Sequence, residues 1–162
     1  MADIRIKIAK DKAKLVKALR AGEGSTGPFQ TYYEVLAFAA AVGMKHKRFH
    51  SFSEDETSKE IDPIRQEQFA SKGYEQLINL ISLTHIREPS ILSDDESFRK
   101  RRVEVFEAYS NGGLDFLMEV LHGANDYRNQ IILILTAQKS ELVKRQNPED
   151  ILDWDIMKNI LP

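Results

Sequence analysis

The chain has 162 residues and no cysteine, and its formal net charge at pH 7 is −2. This length suits one ordinary domain or a small module with a helical extension. The lack of cysteine excludes disulfides, thiolate metal sites and cysteine nucleophiles. No apolar run approaches the ~20 residues that cross a bilayer, and no secretory signal pattern opens the chain. We therefore expect a cytoplasmic protein with no membrane partner.

Positive charge is concentrated in residues 1–50, which hold ten Lys and Arg side chains against four acids and so carry +6. The remaining residues hold 13 cations against 21 acids and carry −8. A basic end on an acidic body suggests that this end meets a polyanion. An ordinary solvated surface gives the same counts, so charge leaves both interpretations open.

Residues 4–8 predict a short β-strand, because three isoleucines alternate with Arg5 and Lys7. Such a strand would be apolar on one face and positive on the other. Five residues cannot form a stable strand without a partner strand, and no other stretch of the chain has a convincing strand pattern. We therefore expect the same stretch of a second copy to complete an antiparallel ribbon in a homodimer.

Helical patterns follow this strand. Residues 9–20 place apolar side chains on one face and lysines on the other, and glycine-rich residues 21–28 predict a loop. Thr31, followed by Glu34 three positions later, is a capping-box pattern. It predicts the start of a helix over residues 32–42 that is apolar enough to be buried nearly all round.

The rest of the chain predicts only helices and connections. Polar residues 51–62 are the best candidate linker, residues 63–146 predict a helical body, and residues 147–162 predict an amphipathic C-terminal helix. Within the body, residues 111–113 (Asn-Gly-Gly) predict the end of one helix, before the next begins at Leu114. The C-terminal helix would dock on a partner, or pack on its own body, through Trp154, Ile156, Ile160 and Leu161.

No constellation of residues predicts catalysis, a metal site or a cofactor. Residues 22–27 have the glycine spacing of a phosphate loop, but Pro28 stands where that motif requires lysine. His46 and His50 are four residues apart, but their neighbours are cations that would repel a metal ion. The sequence therefore favours a binding protein over an enzyme.

Residues 4–44 resemble the ribbon-helix-helix group of DNA-binding proteins, in which two chains pair one strand each and insert the ribbon into the major groove. The resemblance implies a mainly α protein with an N-terminal ribbon-helix-helix-like dimerisation and DNA-binding module, residues 1–50, followed by a helical bundle. Arg5 and Lys7 would contact base edges in duplex DNA. The residues expected to contact phosphates are Lys10, Thr31, Lys45, Lys47 and Arg48.

A second resemblance covers most of the chain. Residues 27–31 (Gly-Pro-Phe-Gln-Thr), residues 36–40 with Gly43, and residues 62–67 (Asp-Pro-Ile-Arg-Gln-Glu) are similar to the Dnd system-associated protein 4 family. This resemblance implies a bacterial accessory protein of a DNA phosphorothioation or anti-phage defence system, and it implies no catalytic residue. Two functions are then open: a DNA-binding regulatory protein, or a scaffold that binds other proteins of the system.

Overall fold

The computed structural model describes residues 3–145, and these residues are mainly helical. One compact unit ends at Gly123, and a second begins at Ala124. The elements of the first unit, in chain order, are β1 (Arg5–Ile6), α1 (Ala13–Leu19), β2 (Ala21–Gly22), β3 (Ser25–Thr26), α2 (Tyr32–Lys45), β4 (Ile64–Arg65), α3 (Gln66–Ser71), α4 (Glu75–Ile86) and α5 (Glu96–Val120). The mainly α fold class is confirmed.

The partner of β1 lies in the same chain. β1 pairs antiparallel with β4, so that Arg5 is opposite Arg65 and Ile6 is opposite Ile64. The expectation that no second strand exists in the chain was therefore wrong. The reason is length, because a strand of two residues is too short to produce an alternating pattern that sequence reasoning could detect.

The backbone of residues 4–9 has partners along both edges. On the β4 side, the pairing continues where the Ser58 N–H donates to the Ile8 carbonyl at 2.7 Å and Ala9 bridges Thr57. On the opposite edge, the Lys7 N–H donates to Glu107 Oε1 of α5 at 2.7 Å. The expected ribbon with a second copy is thus replaced by contacts within the chain, and the ribbon-helix-helix resemblance is not confirmed.

Residues 51–62, which we predicted from composition to be a linker, lie beside the N-terminal segment. Thr57 and Ser58 of this stretch pair with the backbone of residues 8 and 9. The stretch includes a short 3-10 helix, Glu54–Glu56, whose first turn is closed by Ser53 and Glu56 through reciprocal hydrogen bonds. Two of its side chains, Ser58 and Ile61, are buried. These residues therefore contribute to the packing of the first unit.

Helices α2 and α5 form the centre of the first unit and approach each other through small residues. A Cβ added at Gly113 would overlap the carbonyl oxygen of Ala39, and one at Gly43 would overlap that of Tyr109. The prediction that residues 111–113 end a helix was wrong, because α5 runs through them without interruption. Each glycine in a helix costs about 1 kcal/mol relative to alanine, but here glycine is what allows the two backbones to touch.

The second unit contains α6 (Tyr127–Arg145). Asp126 precedes this helix, and its side chain accepts a hydrogen bond from the Asn129 N–H at 3.1 Å, which caps the first turn. No helix among residues 3–145 is long and apolar enough to cross a membrane. The predicted C-terminal helix and its docking residues, Trp154, Ile156, Ile160 and Leu161, lie outside the described residues.

Candidate functional site

One face of α5 carries a line of polar side chains that we call the α5 polar stripe: Glu104, Glu107, Asn111, Asp115 and Glu119. Their spacing of three or four residues places them above one another on a helix. The stripe contacts the N-terminal segment and the residues that follow α2. We predicted no function for this stripe from the sequence. Its spacing of three or four residues indicates a shared helix face only if residues 96–120 form one helix, as they do in the structure.

Glu107 and Lys7 meet at the junction of α5 and β1. Burial raises the pKa of the Glu107 carboxyl to about 7, although the hydrogen bond from the Lys7 N–H and the positive charge of Lys7 act to lower it. The Lys7 ammonium forms a hydrogen-bonded ion pair with Glu54. The hydrogen bond in this pair is the main reason why the pKa of Lys7 lies above its ordinary value.

Arg5 also has an acid partner within the chain. Its Nε and Nη2 donate to Asp3 Oδ2 at 2.8 and 2.6 Å, and Arg65 Nε lies 3.9 Å from Asp3 Oδ1. Both residues that were predicted to contact DNA bases are therefore engaged in ion pairs. Arg5 also lies on β1, which is paired with β4, and the N–H of Lys7 donates to Glu107.

Further along the stripe, Asp115 joins two basic side chains. Lys12 is only 1% exposed, and its Nζ lies 2.7 Å from Asp115 Oδ1. His50 Nδ1 lies 2.6 Å from Asp115 Oδ2. Burial raises the pKa of Asp115, but the hydrogen bonds from Lys12 and His50 outweigh this effect and leave it below its ordinary value.

At the end of the stripe, Arg48 binds Glu119 with two parallel hydrogen bonds of 2.7 and 2.8 Å. This geometry is the strong, bidentate form of an arginine–carboxylate pair, and it lowers the pKa of Glu119. The Arg48 guanidinium also lies over the Phe116 ring, on which His46 stacks at 3.9 Å. Arg48 was predicted to bind a phosphate, but in the structure its guanidinium binds the carboxylate of Glu119.

Thr31 lies at the start of α2, as predicted, and the capping box with Glu34 is present. Glu34 Oε2 accepts hydrogen bonds from the N–H groups of Thr31 at 3.0 Å and of Gln30 at 2.7 Å. The N–H of Thr31, which we expected to contact a phosphate, and that of Gln30 beside it therefore already have an anionic acceptor.

The other predicted phosphate ligands, Lys10, Lys45 and Lys47, are exposed, as is Lys14. Within residues 3–145, these four lysines have no hydrogen-bonding or ion-pair partner for their ammonium groups, whereas five other cations of the basic end do. Those five are Arg5, Lys7, Lys12, Lys17 and Arg48.

Contacts of α1 and α2 bring the four exposed lysines to one end of this helix pair. Where α1 ends, the Arg20 guanidinium lies 4.7 Å from the ring centre of Tyr32, which begins α2. Where α1 begins, Lys12 shares Asp115 with His50, which lies five residues after α2 ends. The two helices therefore run in opposite directions, and Lys10 and Lys14 lie at the same end as Lys45 and Lys47. We call these four residues the lysine end.

Residues 5–153 match the family described as DNA sulphur modification system-associated protein 4. The chain belongs to this family. The match confirms the family resemblance drawn from the sequence, and the association of the family with the DNA sulphur modification system supports a role in that system. Comparisons with curated proteins and with solved structures find no match. Within residues 3–145, no group of three or more His, Cys, Asp or Glu side chains is arranged to hold a metal ion.

Proposed function

We propose that this protein is a non-enzymatic accessory protein of the DNA sulphur modification system that binds duplex DNA through the lysine end. The observation that supports the proposal is that four exposed lysines lie at one end of the α1–α2 pair and form no ion pair within the described part of the chain. Lysine ammonium groups bind phosphate oxygens as point charges, which gives affinity for the DNA backbone without reading its sequence.

The proposal uses phosphate contacts and does not use the strand. Contacts of Arg5 and Lys7 with bases would require both side chains to leave their carboxylate partners, Asp3 and Glu54. If four lysines each neutralise one phosphate, the logarithm of the affinity falls with the logarithm of salt concentration with a slope of about −3.6. Binding is then independent of base sequence.

Fluorescence anisotropy with labelled duplexes, plain and phosphorothioated, tests this proposal over a salt titration. We expect the variant with glutamine at Lys10, Lys14, Lys45 and Lys47 to bind far more weakly and to lose most of the salt slope. The matched control replaces four exposed cations outside the lysine end, Lys59, Lys72, Arg87 and Lys139, with glutamine, and it should retain the slope. Equal losses of affinity in the two variants would contradict the proposal, because the weaker binding would then result from the change in net charge and not from the positions of the lysines.

A second function, a scaffold that binds other proteins of the system, is favoured by one observation. Four of the ten cations in residues 1–50 form ion pairs with acids beyond residue 50, so part of the charge asymmetry is neutralised within the fold. No anisotropy change at low salt, together with co-purification of a protein of the system, would support this function. The predicted homodimer is testable by light scattering, and neither function depends on it.

A further inference from the structure

Two clefts, of about 380 and 560 Å³, adjoin the junction of β1 and α5. Both are lined by Lys7, Glu104 and Glu107. The smaller cleft also has an aromatic wall that includes Phe49 and His85. Neither the DNA-binding proposal nor the family match gives these clefts a function.

The charges that line the clefts are compensated except at Glu107. Each lining cation has a carboxylate within ion-pair distance: Arg5 with Asp3, Lys7 with Glu54, Lys100 with Glu96 and Arg101 with Glu104. Glu107 has no cation within that distance among residues 3–145, and its carboxylate accepts a hydrogen bond from the Lys7 N–H. The group that would complete this site is therefore a cation.

The aromatic wall suits the same kind of ligand. Phe49 is 43% exposed, although it is a large apolar side chain, and its ring lies parallel to the His85 imidazole with 4.6 Å between ring centres. The Tyr109 hydroxyl lies 3.0 Å from His85 Nδ1 and holds the stack in place. Exposed aromatic faces next to a carboxylate attract guanidinium and ammonium groups.

We propose that the smaller cleft binds the guanidinium or ammonium group of an arginine or lysine side chain from a protein partner, with Glu107 as its carboxylate and Phe49 and His85 as its aromatic wall. This site goes beyond DNA binding and does not depend on it, since the lysine end is formed by other residues. The protein would then have two binding surfaces: the lysine end, which binds anionic phosphates, and this cleft, which binds a cationic side chain.

Binding at this site is linked to a proton. Burial has the largest effect on the pKa of Glu107 and brings it to about 7; Lys7, directly after β1, lowers it, and Glu104 on α5 and Glu54 raise it. His85 on α4 and Arg101 on α5 are the other charged or titratable groups that line this cleft. A cation favours the ionised carboxylate, so it lowers the pKa. Binding therefore strengthens as the pH rises through 7.

The backbone amide of Lys7 reports on the site directly, because its N–H donates to Glu107. We would follow this amide by two-dimensional NMR while adding acetyl-Gly-Arg-Gly-amide, with the citrulline analogue as the uncharged control at equal ionic strength. The expected result is a saturable shift and a titration midpoint lowered by about one pH unit or more with the arginine peptide only. Glu107→Gln should abolish both effects, and the exposed control Glu67→Gln should keep them.

Three outcomes would overturn the proposal. The first is an equal response to the arginine and citrulline peptides. The second is an unchanged arginine response in Glu107→Gln. The third is tighter binding of free arginine than of the peptide, which would make the ligand a small molecule instead of a protein partner. If Glu107→Gln does not fold, the Lys7 amide of the natural chain decides: a response to the arginine peptide alone supports the proposal, and equal responses to the two peptides at both pH 5.5 and pH 8 overturn it.

Discussion

Replacing Glu107 with glutamine should stabilise the protein, and the gain should depend on pH. Burial raises the pKa of Glu107 in the folded protein to about 7 from an ordinary value of 4.5. The unfolded chain therefore releases this proton at a lower pH than the folded protein does. Because unfolding then releases a proton between about pH 4.5 and 7, the contribution of Glu107 to the free energy of unfolding falls as the pH rises through that range.

The size of this effect follows from the shift. About 2.5 pH units at about 1.4 kcal/mol per unit gives roughly 3.5 kcal/mol of lost stability above pH 7. Glutamine has nearly the same shape and no charge, and its side-chain oxygen can still accept the hydrogen bond from the Lys7 N–H. Burial of its amide cancels part of the gain, so we expect a net stabilisation of about 1–3 kcal/mol at pH 8 and little difference at pH 4.5.

Urea unfolding followed by circular dichroism at pH 4.5, 6 and 8 measures this difference. The matched control is Glu60→Gln, because the hydrogen bond from Lys17 lowers the pKa of Glu60 at an exposed position, so its removal should not stabilise the protein at any pH. A difference between the natural chain and Glu107→Gln that stays constant from pH 4.5 to 8 would refute the reasoning.

Three further predictions concern stability. Gly113→Ala should destabilise the protein by about 3 kcal/mol or more in thermal unfolding, because the added Cβ overlaps the Ala39 carbonyl oxygen and α2 must move away from α5; an unchanged melting temperature would contradict this packing. Thr31→Ala should cost about 1 kcal/mol in urea unfolding through the lost cap of α2, whereas Thr31→Ser should cost much less. Asp115→Asn should cost about 1–3 kcal/mol at pH 7, because it weakens the ion pairing of the buried Lys12 ammonium; the cost should shrink at low pH, where Asp115 of the natural chain is also neutral.

The distribution of charge shows where sequence counting misleads. Residues 1–50 carry +6, which suggested a basic end free to meet a polyanion. The fold places the α5 polar stripe and Glu54 against the same segment, so Lys7, Lys12 and Arg48 have carboxylate partners that are distant in sequence. Net charge along the chain does not reveal such pairs, because they depend on which helix face meets which segment.

Local features were predictable because their causes are local. The helix that begins after Thr31 follows from a capping box within four residues, and its burial follows from a nearly continuous apolar run. The mainly α fold class was also predictable, since most of the described chain has helical spacing of its apolar residues. The family resemblance was readable from short stretches of residues, and the family match confirms it.

Features that depend on packing were not predictable in the same way. The glycines at 112 and 113 looked like a helix end by propensity, yet close contact of α5 with Arg48 and Ala39 keeps them within one helix. In the same way, β1 looked like a strand that needs a second copy, because its partner strand of two residues leaves no pattern in the sequence.

The sequence by itself determined the helical character of the protein, the start of α2 and the types of residue available for binding. Only the tertiary structure decided which lysines and arginines remain without an ion-pair partner. An ion pair forms where two segments of the chain pack together, and the sequence of either segment alone does not show this. The tertiary structure paired Arg5 and Lys7 with carboxylates, left Lys10 and Lys47 exposed, and left the half-buried Glu107 carboxyl with no cation within ion-pair distance among the described residues.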